Sequence, residues 1–347
     1  MSVEDLQPVT LKDIAARAGV SISTVSRVVT RSNKVDPATE RRVYEVIEEL
    51  GYRPNLLARS FRVKTTHTIG LVVPDNSNPF FAELARVIED AGFAEGYNVI
   101  LCNSDLSEAK QSAYVDVLLA KQVDGILLTS TGLIPGQDND RIIARIRQAG
   151  VPSVILDRDL GDEPVDQILV DNHEGGYLAG KYILDCGHRR VACVVGPSDL
   201  TPSAGRIAGF RRALAEAGVD LPAQSVVRGN GRHDGGAHAV EELLARGTNF
   251  TAIFAFNDEM AIGIIGSLHR HGYQVPKDIS VIGFDDIPYA AAVFPAVTTI
   301  AQPIAEMGKL GLTMLLERIR QPGIASRRVV LSTRLMERES VARYVAS

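Results

Sequence analysis

Residues 10–29, TLKDIAARAGVSISTVSRVV, contain two short helical patterns that meet at a glycine. Thr10 can cap a first helix over residues 11–18, and Gly19 can end it because glycine readily adopts the left-handed backbone conformation. Ser21 can cap the second helix, which follows directly. Two short helices joined by a glycine-containing turn are typical of a helix-turn-helix unit.

The second helix of this pair has an apolar side and a small polar side. At about 100° per residue, Val25, Val28 and Val29 cluster on one side of the helix. The small hydroxyl side chains opposite leave a low profile that can enter the major groove of DNA. There Ser and Thr bond phosphates or base edges, and an arginine can bind guanine through two hydrogen bonds. The predicted DNA-reading residues of this helix are Ile22, Ser23, Thr24, Ser26 and Arg27.

Two further features support a DNA-binding head. Asp36 and Pro37 are typical of a helix start, and the third helix that they open would brace the first two. Residues 1–66 hold 11 Lys and Arg against 8 Asp and Glu, a net charge of +3. The remaining residues hold 26 against 34, a net charge of −8. A basic head on an acidic body indicates a polyanionic partner.

Residues 54–63, PNLLARSFRV, follow the head and predict a helix of about two turns, too short to be stable alone. Small and apolar side chains beside arginines suit insertion into the minor groove, where such side chains wedge between base steps. The alternative is an ordinary amphipathic linker. The predicted DNA-contacting residues of this segment are Asn55, Ala58, Arg59, Phe61 and Arg62.

From Thr68 onward, near-continuous apolar strands alternate with helices. The strand patterns include IGLVVP at 69–74, VDGILLT at 123–129 and ISVIGF at 279–284. Buried strands of this kind are typical of parallel sheets covered by helices on both faces. Because there are too many strands for one ordinary sheet, the sequence predicts an α/β core of two similar lobes. Ligands bind at the carboxyl ends of strands in such sheets, and several of these ends carry polar or aromatic residues.

Long motifs in this order resemble the lactose/galactose repressor family of bacterial transcription regulators. The resemblance rests on TLKDIAARAGVSISTVSRVV, ELGYRPNLLARS, TIGLVVPD, DCGHRRVACVVGP, GRIAGFRRAL, FNDEMAIG, VPKDISVIGFDDI and FPAVTTIAQP, and it extends from about residue 10 to the C-terminus. It implies a homodimer that binds double-stranded operator DNA and responds to a small sugar effector bound between two lobes. The core is expected to be similar to periplasmic sugar-binding proteins.

The resemblance also implies domain bounds and roles for single residues. The expected parts are a helix-turn-helix domain at 9–53, a hinge helix and linker at 54–67, a first lobe at 68–168 with 301–330, and a second lobe at 169–300 with 331–347. Ile22, Ser23 and Arg27 match base-reading positions of the family, and Lys34 falls in a phosphate-contacting loop. Phe61 stands where the family usually has a leucine wedge, so the preferred central base step is left open.

The predicted effector site needs acids, amides and arginines for sugar hydroxyls, and flat aromatic walls for the C–H face of the ring. The candidates are Asn78, Phe80, Phe81, Asp157, Arg158, Arg206, His233, Asn257, Asp285 and Gln302. The set resembles that of ribose-type repressors. His233 departs from that pattern because ribose binders place a phenylalanine there. Ribose, another pentose and a nucleoside therefore all stay open as effectors.

One alternative function and several exclusions complete the sequence-based prediction. Residues 103–105 and LAKQVDGI also resemble catabolite-control regulators, whose core responds to a phosphorylated carrier protein. The seven histidines and three cysteines lack metal-ligand spacing, and no nucleophile or phosphate-loop motif is present, so we expect no enzyme activity, metal or cofactor. The acidic N-terminus, the odd number of cysteines and the lack of a long apolar run predict a cytoplasmic protein with no membrane contact.

Overall fold

The computed structural model describes residues 9–29, 35–52, 65–130, 138–197 and 201–344. The chain divides into two compact units, one ending at Thr66 and the other beginning at His67. The predicted hinge helix lies outside the described residues. So do Lys34, Asn55, Ala58, Arg59, Phe61 and Arg62.

The small unit contains three helices, α1 (Leu11–Ala18), α2 (Ile22–Val29) and α3 (Pro37–Glu49). The side chain of Thr10 caps α1 in a capping box with Asp13. The hydroxyl of Ser21 accepts a hydrogen bond from the backbone N–H of Thr24 at 3.1 Å. Asp36 caps α3 and Pro37 occupies its first turn. The predicted helix-turn-helix is therefore confirmed, with each helix start placed by a capping side chain.

The core of the small unit consists of apolar side chains from all three helices. The valines predicted to dock α2 are buried at positions 25 and 28, and Val29 is partly buried beside them. On α3, Val43 and Val46 are buried, whereas Ile47 and Leu50 lie at the edge of the cluster. The buried members are Ile14, Ala15, Ala18, Val25, Val28, Val43 and Val46.

The large unit contains two six-stranded sheets. The strands of the first sheet are β1 (Thr68–Val73), β2 (Asn98–Asn103), β3 (Gly125–Leu128), β4 (Ser153–Leu156), β5 (Asp166–Val170) and β11 (Arg328–Leu331). They lie in the order β11-β5-β4-β3-β1-β2 and all pair in parallel. The strands of the second sheet are β6 (Val191–Val195), β7 (Val226–Arg228), β8 (Ala252–Ala255), β9 (Ser280–Asp285), β10 (Thr298–Ala301) and β12 (Arg334–Met336). Their order is β12-β10-β9-β8-β6-β7.

Helices cover both faces of each sheet. The helices on the first sheet are α4 (Pro79–Ala94), α5 (Glu108–Ala120), α6 (Asp138–Gln148) and α12 (Ile304–Arg320). The helices of the second lobe are α7 (Asn172–Asp185), α8 (Thr201–Glu216), α9 (His233–Ala245), α10 (Asp258–Arg270) and the short α11 (Pro288–Ala292). Strands buried on both faces explain the near-continuous apolar runs of the sequence. The predicted two-lobe α/β fold is confirmed.

The chain crosses between the two sheets three times, and each crossing follows the carboxyl end of a strand. The crossings lie at residue 171 after β5, at 302–303 after β10 and at 332–333 after β11. The last crossing enters the second sheet from its carboxyl edge with no helix to reverse the chain. As a result β12 pairs antiparallel with β10, which the sequence pattern did not predict. The predicted lobe bounds stay a prediction.

Candidate functional site

A cleft of about 530 Å³, including its open mouth, lies between the carboxyl edges of the two sheets. Nine of the ten predicted effector-site residues line it, and His233 does not. The lining residues are Asp75, Asn78, Phe80, Phe81, Leu106, Asp157, Arg158, Pro197, Pro202, Arg206, Asn230, Gly231, Arg232, Phe256, Asn257, Asp285 and Gln302.

The first lobe contributes an aromatic wall at the start of α4. The side-chain oxygen of Asn78 accepts a hydrogen bond from the backbone N–H of Phe80 at 2.9 Å, and this bond caps the helix. The cap and the following Pro79 fix the direction of the first turn. The rings of Phe80 and Phe81 are buried and meet edge to face with 4.9 Å between their centroids. The pair forms a rigid apolar surface suited to the C–H face of a sugar ring.

A buried ion pair follows β4 in the same lobe. Asp157 has a φ of 60°, in the left-handed region that a non-glycine residue rarely occupies. Its neighbour Arg158 donates to the Asp157 carboxylate and to the carbonyl oxygens of Asp157 and Ser130, at 2.9 and 3.1 Å for the carbonyls. Among the described residues, Asp157 Oδ1 is buried without a hydrogen-bond donor. Because an unsatisfied buried acceptor is costly, this oxygen is suited to a ligand hydroxyl.

The second lobe contributes a guanidinium held between two aromatic rings. Arg206 on α8 lies 3.7 Å from the ring centroid of Phe284 and 4.5 Å from that of Phe256. Its Nε donates to the side chain of Asn172 at 2.8 Å, and its Nη1 donates to the carbonyl of Phe256 at 2.6 Å. Burial lowers the pKa of Arg206, but the nearby carboxylate of Asp285 opposes that shift. The side chain therefore presents a fixed charged donor to the cleft.

Asp285 ends β9 and contacts both Arg206 and Gln302, which lies in the second crossing. Its Oδ1 lies 3.3 Å from Arg206 Nη1 and accepts a hydrogen bond from Gln302 Nε2 at 2.7 Å. Burial raises the pKa of Asp285 to about 6, against the opposing effect of Arg206. Its φ of 112° is unfavourable for a non-glycine residue, and strained backbone of this kind is concentrated at functional sites. Among the described residues, the side-chain oxygen of Gln302 is a second buried acceptor without a donor.

Two of the predicted residues lie at helix starts of the second lobe. Asn257 caps α10 by accepting from Met260 N at 2.9 Å, and it donates to the carbonyl of Gly231 at 2.8 Å. Its amide therefore shapes the loop that faces the cleft. His233 is the first residue of α9 and is exposed. His233 does not line the cleft, whereas its neighbour Arg232 does.

Sequence reasoning missed Asp75 and Arg232. Asp75 is the second residue after the end of β1, so the carboxyl-end rule could have identified it. Arg232 lies in the loop after β7 and gave no such signal, because its position depends on how the two lobes face each other.

In the small unit, the polar side of α2 is presented outward. Ile22 is 50% exposed, Ser23 and Arg27 are exposed, and Thr24 and Ser26 are partly buried. The hydroxyl oxygen of Ser21 lies 2.7 Å from that of Ser23 and 2.9 Å from that of Thr24. These contacts hold the hydroxyl groups together at the first turn of the helix.

Two properties of the described residues bear on other functions. Within those ranges, no helix is both long and apolar enough to cross a membrane. No group of three or more His, Cys, Asp or Glu side chains there could hold a metal ion. His188 instead bridges Thr251 Oγ1 at 2.9 Å and the carbonyl of Ala342 at 3.0 Å, which fixes the C-terminal segment to the second lobe.

Comparison with known proteins gives two family matches and close full-length relatives. Residues 10–55 match the bacterial regulatory proteins of the lacI family, and residues 66–340 match the periplasmic binding proteins and sugar binding domain of the LacI family. The ribose operon repressor of Escherichia coli is 40% identical over 331 residues, which are 95% of this chain and 99% of that protein.

Two solved structures extend the comparison. The lac repressor dimer bound to operator and the anti-inducer ONPF is 26% identical, with a TM-score of 0.87, over 97% of this chain and all of that chain. A LacI family transcriptional regulator from Enterococcus faecium with bound ribose is 33% identical, with a TM-score of 0.72, over 80% of this chain and all of that chain.

Proposed function

Because the chain belongs to the LacI family of bacterial regulatory proteins, we propose that it is a repressor whose operator affinity is controlled by a small pentose. It acts as a homodimer, it reads operator DNA with α2, and its effector is ribose or a closely related sugar bound between the lobes. It has no enzyme activity.

The DNA-binding role is supported by the surface of α2. Its buried valines fix the helix on the head, and the opposite side presents small hydroxyls and the guanidinium of Arg27. This combination of side chains suits the major groove. The solved lac repressor dimer on its operator gives a structural precedent within the family.

The observation that carries the effector assignment is the pair of buried acceptors in the cleft, Asp157 Oδ1 and Gln302 Oε1. Hydroxyl groups, like neutral N–H groups, donate to such oxygens without carrying charge. Around them stand a flat wall of two phenylalanine rings and the fixed donor Arg206. A ring with several hydroxyls and an apolar C–H face satisfies all three features.

The choice of ribose within the sugars is supported by the relatives. The Escherichia coli protein at 40% identity is named a ribose operon repressor, and the Enterococcus faecium regulator has bound ribose. Recognition of a phosphorylated carrier protein gives no reason for a polar cleft whose buried oxygens, Asp157 Oδ1 and Gln302 Oε1, lack hydrogen-bond donors among the described residues. We therefore favour the free sugar.

Calorimetric titration of the full-length protein with ribose, arabinose, xylose, glucose and adenosine tests the effector class. Ribose is expected to bind with the highest affinity and to weaken binding to the operator. Absence of binding by every sugar, together with a response to a phosphorylated carrier protein, would exclude the sugar effector. If ribose instead tightens operator binding, the cleft is still the effector site, but the effector strengthens repression.

A further inference from the structure

The two lobes are joined across the cleft by the side chain of Arg232. Its Nε donates to Asp75 Oδ2 and its Nη2 donates to Asp105 Oδ1, each at 2.9 Å. Asp75 follows β1 and Asp105 follows β2 in the first lobe, whereas Arg232 follows β7 in the second. Lys110 lies 3.4 Å from Asp105 and adds a second cation to this cluster.

These contacts lie on the side of the cleft opposite the crossing segments. β1 and β2 form one end of the first sheet, and β6 and β7 form the corresponding end of the second. The three crossings follow β5, β10 and β11, which lie toward the other ends. Lobes that open about the crossings separate most at the edges farthest from them. The bonds of Arg232 therefore break whenever the cleft opens.

Exposure places Arg232 at the mouth of the cleft. Its side chain is 47% exposed, whereas the side chains of the other charged lining residues are at most 8% exposed. Asp75, its partner, is 8% exposed. A ligand substituent that displaced Arg232 would leave the nearly buried Asp75 carboxylate without its guanidinium, which is costly.

The pairing of Arg232 also completes the charge balance of the cleft. Three carboxylates and three guanidinium groups line it. They are paired as Asp157 with Arg158, Asp285 with Arg206, and Asp75 with Arg232. An anionic ligand would have to break one of these pairs. An uncharged polyol can bind while all three remain.

We propose that Arg232 is a specificity-determining residue, which closes the mouth onto Asp75 and Asp105 and so restricts the effector to a single uncharged sugar ring without a bulky substituent. This inference rests on the proposed function, because it concerns the effector of the same cleft. A bare ring leaves the bridge between the lobes intact. A glycoside or nucleoside whose substituent reaches the mouth prevents Arg232 from bridging the lobes.

Calorimetry on the full-length protein with four probes tests this role. D-ribose, methyl β-D-ribofuranoside and adenosine carry substituents of increasing size on one ring, and D-ribose 5-phosphate adds charge. The native protein should bind ribose at least about tenfold more tightly than adenosine, and Arg232→Ala should reduce that ratio to about threefold or less. Asp105→Asn, which removes a partner outside the cleft lining, should give an intermediate ratio.

Arg246→Ala is the matched control, because Arg246, the C-terminal cap residue of α9, pairs with Glu242 of that helix within one lobe. It should keep the native ratio. An unchanged ratio in Arg232→Ala with ribose still bound overturns this inference alone. Preference for ribose 5-phosphate over ribose in the native protein, lost in Arg232→Ala, overturns it too, since Arg232 would then bind an anion. If neither these four probes nor arabinose, xylose and glucose bind the native protein, the proposed function fails and the inference with it.

Discussion

At the residue scale, we propose that Asp285 is the group whose chemistry most affects effector binding. It is fully enclosed, and it faces the cation of Arg206 and the carboxyl groups of Asp157 and Asp258. Burial raises its pKa from 3.8 to about 6. Because the folded state holds this proton more tightly than the unfolded chain, the contribution of Asp285 to the free energy of unfolding falls as pH rises from about 4 to about 6.

We predict that the affinity for ribose increases as pH rises from 5 to 7 and then levels off. Sugar hydroxyls donate to a carboxylate, so ribose favours the ionised form of Asp285. For a pKa of about 6, requiring that form costs about tenfold in affinity at pH 5. Titration calorimetry at several pH values measures the trend. Asp285→Asn should bind more weakly at pH 7 and lose the dependence, and a variant that keeps the native profile would refute the role of Asp285.

The cleft shows which residues a single sequence can identify. Asn78, Phe80, Asp157 and Asp285 were identified because each follows or ends a strand, and the carboxyl ends of parallel strands meet at one edge. The part played by Arg232 could not be predicted in this way. Its contacts join residues 127 and 157 positions apart across two lobes, and no local pattern encodes that distance.

At the element scale, α2 packs against the other helices with one side and presents the opposite side to DNA. We predict that Arg27→Ala lowers affinity for the operator by about 1–3 kcal/mol per half-site and leaves affinity for random DNA nearly unchanged. Arg27 lies on the exposed side, so the buried valines still hold the helix in place. Fluorescence anisotropy with both duplexes measures the two affinities. Equal losses on operator and random DNA would assign Arg27 to phosphate contact.

In each of two helix pairs of the second lobe, the two helices approach each other closely at a glycine. A Cβ atom built on Gly209 of α8 would lie 1.8 Å from the carbonyl oxygen of His173 on α7. In the same way, a Cβ on Gly263 of α10 would lie 1.9 Å from the carbonyl oxygen of His233 on α9. These contacts are to backbone, which cannot move aside without shifting a helix. Arg206 lies one turn before Gly209, so the position of the guanidinium depends on this packing.

We predict that Gly209→Ala lowers the free energy of unfolding by about 1–3 kcal/mol and weakens ribose binding through the displacement of Arg206. Urea unfolding followed by circular dichroism measures the first effect and calorimetry the second. Gly266→Ala on α10 is the matched control, since its nearest neighbour would be Arg270 Nη1 at 3.7 Å. It should stabilise the helix by about 0.5–1 kcal/mol. Native-like stability and affinity in Gly209→Ala would show that the helices can separate without consequence.

At the scale of the whole molecule, the alternation of strands and helices could be predicted from the sequence. The reversed direction of the last strand could not. Strands buried on both faces produce apolar runs, and helices between them produce a period of 3.6 residues, so the alternation indicates parallel sheets. The antiparallel β12 has no signal of its own. Its direction follows from the crossing at 332–333, which depends on the position of the second sheet.

The length of α2 requires more than one head for operator recognition. Eight residues at about 1.5 Å each span about 12 Å, enough for three or four base pairs. A site that short recurs throughout any genome, so a homodimer on a two-fold operator is needed for specificity. We predict that a duplex with one half-site binds at least about 100-fold more weakly than the pseudo-palindrome. Analytical ultracentrifugation should show two chains per duplex on the full operator. A stable monomer at micromolar concentration that binds one half-site as tightly as the full operator would contradict this mode of recognition.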